Sequence, residues 1–340
     1  MKRYGNIYAK ICDLENLREA HHNARKDKSF YSDVKMVNTN EDFYLQKIQT
    51  MLQNKTYTVG KYFIEKINDK GKERTIAKLP YYPDRIIQWA IMLQIDNVFH
   101  KVFTSFCCAS IKKRGIHRAS RLLKEFLKDK RGACYCLKLD IKKFYDSIDR
   151  EVLKNLLRKK FKDEDLLKLM DKIIDSAPGK NGVPIGSYIS QYFANFYLAF
   201  FDHWLKEVKR IRYIIRYMDD IVILHSSKLF LHELRESIAE YLALELKLEL
   251  KPNWQVFPVT ARGVDFVGYR HFDNFTLLRK KVCKSFKKIA HRIIRAGYIS
   301  HRNFCSLRSY DGWLKWCDGY RLRTKYFQKI KEAVLCKTME

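Results

Sequence analysis

Residues 214–224, with the sequence IIRYMDDIVIL, decide the fold. Apolar and β-branched residues flank Tyr217-Met218-Asp219-Asp220 on both sides, and this pattern predicts a hairpin with two carboxylates at its tip. Upstream, residues 134–140 (CYCLKLD) predict a buried strand that ends at Asp140. The sequence therefore predicts two acidic sites on separate strands.

These carboxylates need a cationic partner, because adjacent like charges beside a hydrophobic sheet cost free energy unless they are neutralised. Mg²⁺ suits this role, since it prefers a few carboxylates together with water and substrate phosphates. Two such ions about 4 Å apart can activate an attacking hydroxyl and stabilise a leaving pyrophosphate. A lone Asp-Asp pair is also compatible with a solvated turn, but the apolar flanks and the second strand-end aspartate argue against that alternative. We expect a catalytic site with two Mg²⁺ ions, for which Mn²⁺ could substitute, held by Asp140, Asp219 and Asp220.

The two acidic segments resemble motifs of one enzyme family. Tyr217-Met218-Asp219-Asp220 resembles the YxDD box of reverse transcriptases, and residues 137–149 (LKLDIKKFYDSID) resemble their first aspartate motif. The resemblance implies an α+β right-hand polymerase with fingers, a palm whose antiparallel sheet carries the acidic site, and a helical basic thumb. It also implies that Asp140 and Asp219 bind both metals, with Asp220 beside them, during RNA-directed DNA synthesis from deoxynucleoside triphosphates.

Residues near the first motif gain roles from the same resemblance. Tyr145 matches the aromatic residue that packs under the sugar, where it would act as a steric gate against a ribonucleotide 2′-hydroxyl. The alternative for Tyr145 is an ordinary core aromatic. Asp146 and Asp149 are expected to cap the following helix rather than to bind metal.

A glycine-containing segment lies between the two acidic sites. Residues 182–191 (GVPIGSYISQ) open a helix, whose N-terminus favours phosphate, and the glycines permit close backbone approach. The segment resembles the second palm box of reverse transcriptases, with Ile185-Gly186 where many relatives have Gln-Gly and Ser190-Gln191 where they have Ser-Pro. We expect Ile185, Gly186 and Gln191 to contact the nucleotide.

The pairs Ile185-Gly186 and Ser190-Gln191 resemble the variant of this box in diversity-generating retroelement reverse transcriptases, which copy a template RNA with frequent errors at adenines. This subtype would need a template RNA and a small basic accessory protein. An antiphage-defence reverse transcriptase bound to its own noncoding RNA shares these boxes and stays open as an alternative. A catalytically idle RNA-binding scaffold is a third alternative, and the intact aspartates argue against it.

Basic residues suggest where the nucleotide and the nucleic acid bind. Residues 72–90 resemble the fingers of bacterial reverse transcriptases, and residues 110–117 (SIKKRGIH) resemble the template-side loop. Residues 248–253 resemble the lysine-bearing segment after the YxDD box, and residues 266–270 resemble the primer-grip turn, in which Gly268 would let the backbone approach the primer end. The expected nucleotide-binding residues here are Arg74, Lys78 and Lys251, and the expected template or primer contacts are Lys112, Lys113, Arg114, Gly268 and Tyr269.

The composition favours a nucleic-acid partner. The 340 residues carry 67 Lys+Arg against 38 Asp+Glu, a formal net charge of +29, and such an excess is relieved by a polyanion. We expect template or noncoding RNA and the cDNA product as partners, with the oligomeric state open. No long apolar run or secretory leader is evident, and the nine scattered cysteines lack zinc-site spacing. These features favour reduced thiols in the cytoplasm, without a membrane association, and the family resemblance implies a bacterial or phage-infected host.

The pattern along the chain predicts residues 1–275 as fingers and palm and residues 276–340 as a helical thumb. From residue 279 onward there are 17 Lys/Arg against 4 Asp/Glu. The expected helical segments are 1–60, a helix after Pro83, 116–130, 150–175, 187–208, 229–249 and 279–340. The expected strands are a hairpin in 57–79 around Asn68-Asp69-Lys70-Gly71, one strand before Asp140, the acidic hairpin and short strands in 262–279.

Overall fold

The computed structural model describes residues 2–69 and 72–338. Its helices are α1 Tyr8–Ile11, α2 Leu14–Ala24, α3 Ser32–Thr39, α4 Glu41–Gln53, α5 Ile86–Val102, α6 Ile116–Leu127, α7 Phe144–Ser147, α8 Arg150–Arg158, α9 Glu164–Asp175, α10 Ser190–Tyr197, α11 Ala199–His203, α12 Lys228–Leu246, α13 Val259–Arg262, α14 Lys280–Ala296, α15 His301–Leu314 and α16 Tyr320–Thr338. Its strands are β1 Phe63–Asp69, β2 Lys72–Lys78, β3 Tyr135–Asp140, β4 Tyr213–Tyr217, β5 Asp220–His225, β6 Gln255–Pro258, β7 Val264–Phe266, β8 Tyr269–His271 and β9 Thr276–Leu278. A kinked segment, Tyr81–Arg85, in which Tyr82 is extended, precedes α5, and a wide helical turn, Trp204–Val208, follows α11.

The acidic hairpin, β4 and β5, forms one edge of a four-stranded sheet. Strands β4 and β5 are antiparallel, with Tyr217 opposite Asp220, so that Met218 and Asp219 form the turn. Residues 214, 215 and 221–224 are all buried, which anchors the register because a one-residue slip would move every side chain to the other face. The four-stranded sheet has the order β4-β5-β3-β6, and β3 and β6 pair antiparallel.

Two further sets of strands match the predicted ones. Strands β1 and β2 form an antiparallel hairpin, and β7, β8 and β9 form a three-stranded antiparallel sheet. The predicted turn residues Lys70 and Gly71 lie outside the described residues. The strands predicted in residues 57–79 and the short strands predicted in residues 262–279 are therefore confirmed.

Two helices predicted as continuous are divided. The 150–175 segment breaks between α8 and α9, where the Asp163 side chain accepts a hydrogen bond from Leu166 N and caps α9. The same carboxylate accepts hydrogen bonds from Ile7 N and Tyr8 N, at 2.6 and 2.9 Å, and so ties the N-terminal segment to this break. The 187–208 segment begins as a loop and bends at Leu198 between α10 and α11.

The capping prediction is half right. The Asp149 side chain accepts a hydrogen bond of 2.9 Å from Val152 N and caps α8. Asp146 lies inside α7 and does not cap α8, because the chain leaves α7 at Ile148 before α8 begins. The Asp146 prediction was therefore wrong.

The chain forms two compact units that interleave in sequence. One comprises Met1–Ser110, Asp140–Arg210 and Glu236–Pro252, and the other comprises Ile111–Leu139, Ile211–Arg235 and Asn253–Glu340. Within the second unit α14, α15 and α16 share a hydrophobic core whose buried members include Phe286, Ile293, Leu307 and Tyr326. The predicted helical character of the C-terminal segment is confirmed up to Thr338, whereas the domain division at residue 275 stays a prediction.

Two observations concern the membrane and the cysteines. Within residues 2–69 and 72–338, no helix combines the length and the apolar content needed to cross a membrane. No disulfide joins any cysteine whose side chain the structure describes.

Candidate active site

The tip of the β4–β5 hairpin carries Asp219 and Asp220. Met218 has a φ of +59°, and this left-handed residue lets a two-residue turn close the hairpin. Both aspartates are half-buried at the end of otherwise buried strands. The hairpin therefore fixes the backbone at both carboxylates, as the sequence pattern predicts.

A lysine on the neighbouring strand lies close to this tip. Lys138 Nζ on β3 is 3.8 Å from Asp220 Oδ2 and donates a 2.6 Å hydrogen bond to Asp265 O. The sequence analysis did not single out Lys138, although its position two residues before Asp140 places both side chains on one face of β3. Lys138 thus supplies positive charge beside the acidic hairpin.

Asp140, the last residue of β3, has a lysine partner as well. Its Oδ2 is 2.7 Å from Lys251 Nζ, and its backbone O accepts a 2.8 Å hydrogen bond from Lys251 N. The other carboxylate oxygen, Oδ1, is buried and accepts no hydrogen bond from the described residues. Lys251 therefore neutralises Asp140 here, and its expected position near the leaving phosphates stays a prediction.

The expected metal site has suitable donors but no assembled cluster. Carboxylate oxygens are the ligands that Mg²⁺ prefers, and the buried Oδ1 of Asp140 has unused acceptor capacity. In the part of the chain that the structure describes, no three His, Cys, Asp or Glu side chains are grouped as metal ligands. A cation at Asp140 would compete with the Lys251 ammonium, so the ligand set of Asp140, Asp219 and Asp220 stays a prediction.

The Gly182–Gly186 loop contacts the segment that carries Tyr145. Gly182 has a φ of +90°, and a Cβ there would lie 2.8 Å from Tyr145 O. Val183 N donates a 3.0 Å hydrogen bond to the same oxygen, and Gly182 N donates a 2.8 Å hydrogen bond to Ile148 O. Glycine at 182 is therefore required for the close approach of the two backbones.

The same loop also contacts β2. Ala77 N donates a 2.8 Å hydrogen bond to Ile185 O, and a Cβ at Gly186, whose φ is +115°, would lie 2.7 Å from Ile76 Cγ2. The structure thus brings Tyr145, Ile185 and Gly186 into one contact network with β2. Gln191 is exposed in the first turn of α10.

Arg74 and Lys78 of β2 are exposed. Arg74, Ile76 and Lys78 share one face of β2, and Ile76 is the residue that contacts Gly186. Lys78 forms an ion pair with Glu65 on β1, a partner that the sequence analysis did not foresee. Both Arg74 and Lys78 therefore lie on the face nearest Gly186, and their contact with a triphosphate stays a prediction.

The expected template-side loop precedes α6. Lys112 and Lys113 are exposed and Arg114 is half-exposed, so their charges can reach a phosphate backbone. At the start of α6, the His117 ring stacks on Trp316 with ring centroids 4.2 Å apart, and burial lowers the pKa of His117. This stack gives His117 a packing role at the start of α6.

The expected primer-grip turn joins β7 to β8. A Cβ at Gly268, whose φ is +88°, would lie 2.3 Å from Trp313 Cζ3, so the close approach that glycine permits is one with Trp313. Tyr269 is fully buried, and its hydroxyl donates a 3.1 Å hydrogen bond to Trp313 O. The buried side chain of Tyr269 is therefore not available to a primer, and the primer-grip role stays a prediction.

The exposed face of α14 offers a basic cavity. The cavity has a volume of about 830 Å³ and is lined by Lys288, His291, Arg292, Arg295 and Ala296. The opposite face of the helix packs Phe286, Ala290 and Ile293 into the core. The helix therefore presents positive charge to solvent on one face, while its opposite face is fixed by packing in the core.

Comparison with known families decides the identity of this chain. Residues 64–271, more than half of the sequence, match the family model "Reverse transcriptase (RNA-dependent DNA polymerase)". The chain belongs to this family. The predicted family and the α+β fold class of a right-hand polymerase are confirmed, and reverse transcriptases generally depend on divalent metal ions.

Individual relatives are distant. The group II intron-encoded protein LtrA of Lactococcus lactis is 28% identical over 176 residues, which cover 48% of this chain and 28% of LtrA. Protein YkfC of Escherichia coli is 25% identical over 262 residues, which cover 64% of this chain and 66% of YkfC. A telomerase structure from Candida tropicalis has a TM-score of 0.49 at 14% identity, over 66% of this chain and 55% of that one. This reverse transcriptase therefore spans little more than a quarter of LtrA, and its subtype stays a prediction.

Proposed function

We propose that this chain is an RNA-directed DNA polymerase that makes cDNA from a template RNA. The observation that carries the proposal is the β4–β5 hairpin, which holds Asp219 and Asp220 at its tip in a chain of the reverse transcriptase family. The neighbouring strand β3 ends at Asp140, the third carboxylate of the motif pair. Three carboxylates at strand ends of one sheet suit two-metal nucleotidyl transfer.

Asp140, Asp219 and Asp220 would hold two Mg²⁺ ions, for which Mn²⁺ could substitute. When bound, these ions activate the primer hydroxyl and stabilise the leaving pyrophosphate. Lys138 and Lys251 pair with Asp220 and Asp140, and the buried Oδ1 of Asp140, which accepts no hydrogen bond from the described residues, supports its role as a metal ligand. If a metal ion were bound at Asp140, the Lys251 ammonium would be displaced and could approach the leaving phosphates.

The contacts around the Gly182–Gly186 loop suit nucleotide selection. Tyr145 would lie under the sugar and exclude a 2′-hydroxyl, and Ile185 and Gly186 would line the base side of the pocket. Arg74 and Lys78 on β2 would neutralise the triphosphate, whose charge must be balanced as pyrophosphate leaves. Gln191, exposed in α10, would contact the nucleotide from the helix N-terminus.

Basic surfaces would hold the RNA and the growing cDNA. Lys112, Lys113 and Arg114 suit contacts with template phosphates, and the basic face of α14 suits a duplex. The net charge of +29 supports binding that weakens as salt rises. A small accessory protein belongs to this proposal only for the diversity-generating subtype.

Primer extension tests the polymerase proposal. The purified chain should extend a DNA primer on an RNA template with deoxynucleotides in Mg²⁺, and more slowly or not at all without a divalent ion. Asp140→Asn should reduce the rate by at least about 100-fold, because one charged ligand is lost. Asp171→Asn, which changes a half-buried carboxylate paired with Arg158, is the matched control. An Asp140→Asn rate equal to that of the control would refute the metal role of Asp140.

Tyr145 has its own test. Tyr145→Ala should admit ribonucleotides, because the ring that would meet the 2′-hydroxyl is removed. The measurement is the ratio of kcat/KM for a deoxynucleotide to that for the matching ribonucleotide. Equal ratios in parent and variant would remove Tyr145 from the gate role.

For the subtype we propose error-prone copying in a diversity-generating retroelement, and the support is Ile185-Gly186 followed by Ser190-Gln191. Ile185→Gln should lower misincorporation opposite template adenine, measured by sequencing the cDNA. An unchanged error spectrum would leave this subtype without support. Sequencing the RNA that co-purifies would separate it from the defence alternative: a template with a near-repeat in a variable gene supports it, and a dedicated noncoding RNA without such a repeat favours defence.

A further inference from the structure

One guanidinium group holds the segment that leads into the Gly182–Gly186 loop. Arg150 Nε donates a 3.1 Å hydrogen bond to Gly182 O, and Nη1 donates one of 3.3 Å to Asp175 O. Nη2 lies at 2.8, 3.1, 2.9 and 3.3 Å from the backbone oxygens of Ala177, Pro178, Gly179 and Asn181, respectively. Six backbone carbonyls between residues 175 and 182 thus converge on one side chain.

This segment depends on Arg150 because it has no helix or strand to satisfy its carbonyls. It contains Pro178, Gly179 and Gly182, two of which are glycines with positive φ. A guanidinium has five N–H donors in a planar fork, so it can serve several acceptors that a single ammonium cannot reach together. Arg150 is itself held as the first residue of α8, which Asp149 caps.

The segment held by Arg150 connects two parts of the nucleotide pocket. On one side, Gly182 N and Val183 N donate hydrogen bonds to Ile148 O and Tyr145 O. On the other side, Ile185 O accepts a hydrogen bond from Ala77 N of β2. A shift of residues 175–182 would therefore move the backbone under Tyr145 and the backbone of Ile185 together.

We propose that Arg150 is a positioning residue for nucleotide selection. It sets the positions of Tyr145 and Ile185 through the carbonyls that it binds, without touching the nucleotide. The inference rests on the proposed polymerase activity and adds a residue that controls which nucleotide is accepted. A misplacement of about 1 Å can cost about 100-fold in rate, and because Tyr145 is the proposed gate, its displacement also weakens discrimination against a ribonucleotide.

The test compares the same substitution at two ends of α8. Arg150→Lys keeps the charge and loses the fork, whereas Arg158→Lys changes an arginine that pairs with Asp171 and does not contact the 175–182 segment. In primer extension by the full chain, Arg150→Lys should reduce the deoxynucleotide-to-ribonucleotide ratio of kcat/KM by about tenfold. Arg158→Lys should leave the ratio within about twofold of the parent.

A merely structural role predicts a different result. If Arg150→Lys lowers kcat/KM for both nucleotides equally and leaves the ratio unchanged, the proposal is wrong. If the parent chain itself incorporates no deoxynucleotide, the proposed polymerase function fails instead, so the two failures are distinguishable.

Chemical rescue gives a second measurement should Arg150→Lys not fold well. Arg150→Ala with added millimolar guanidinium, far below the molar range that unfolds proteins, should regain part of the parental ratio. Arg158→Ala should show no gain under the same conditions. Hydrogen exchange of the amides of residues 177 and 179–183 should be faster in Arg150→Ala than in the parent, and added guanidinium should slow it again. Unchanged exchange in that segment would overturn the proposal without any activity assay.

Discussion

The stability of this chain should fall in mild acid because of a buried histidine on β8. Burial, assisted by the positive charge of Lys124, lowers the pKa of His271 to about 3. The ring is fully buried, its Nδ1 is 3.2 Å from Thr276 Oγ1, and its Nε2 has no hydrogen-bond partner among the described residues. A protonated ring would therefore place an uncompensated charge in the interior of the three-stranded sheet.

The direction of the pH dependence follows from the pKa values of this histidine in the unfolded and folded chain. In the unfolded chain a histidine has a pKa of about 6.5, so its ring becomes protonated as the pH falls through 6.5. In the folded chain the ring of His271 stays neutral until the pH approaches its lowered pKa of about 3. The contribution to stability is present above pH 6.5 and is lost as the pH falls. Between about pH 7.5 and pH 5 the loss from this residue amounts to about 2 kcal/mol.

Urea unfolding at a series of pH values measures this contribution. The free energy of unfolding of the parent minus that of His271→Asn should decrease by about 2 kcal/mol between about pH 7.5 and pH 5. The control is His301→Asn, at an exposed histidine in α15 of the same unit. A parent-minus-variant difference that does not change with pH would refute the reasoning, whatever the absolute stability of the variant.

Two further substitutions test local features of the fold. Gly182→Ala should lower the free energy of unfolding by about 2–4 kcal/mol, because it adds a strained φ and a contact with Tyr145 O. Gly312→Ala, in open space on α15, should instead raise the free energy of unfolding by about 0.5–1 kcal/mol. Equal effects of the two substitutions in thermal melts would contradict this prediction. Asp149→Ala should lower the free energy of unfolding by about 1 kcal/mol through the lost cap of α8, and Asp146→Ala should lower it by less than about 0.5 kcal/mol. A urea midpoint that falls more in Asp146→Ala than in Asp149→Ala would contradict the assigned cap.

The acidic hairpin could be predicted from the sequence because its signal is local. Residues on both flanks of the tip are apolar and β-branched, and the structure buries nearly all of them. The Gly182–Gly186 loop was also predictable as a place of close backbone approach, and the positive φ angles of both glycines confirm it.

The features that could not be predicted from the sequence depend on contacts between residues far apart in the chain. The break between α8 and α9 depends on Asp163, which binds the amides of Ile7 and Tyr8 about 155 residues earlier in the chain. The lysine partners of the carboxylates, Lys138 and Lys251, depend on how strands pair. Arg150 was missed because its acceptors are backbone carbonyls, which every residue has, so no residue type marks them.

The central claim is that the carboxylates at the hairpin tip carry out nucleotide transfer. The most direct test is single-turnover incorporation of one deoxynucleotide on an RNA template by the chain carrying both Asp219→Ala and Asp220→Ala, compared with the parent. We predict that the double variant keeps its fold by circular dichroism, still binds RNA, and shows no incorporation above background. Incorporation by the folded double variant at the parental rate would contradict the account.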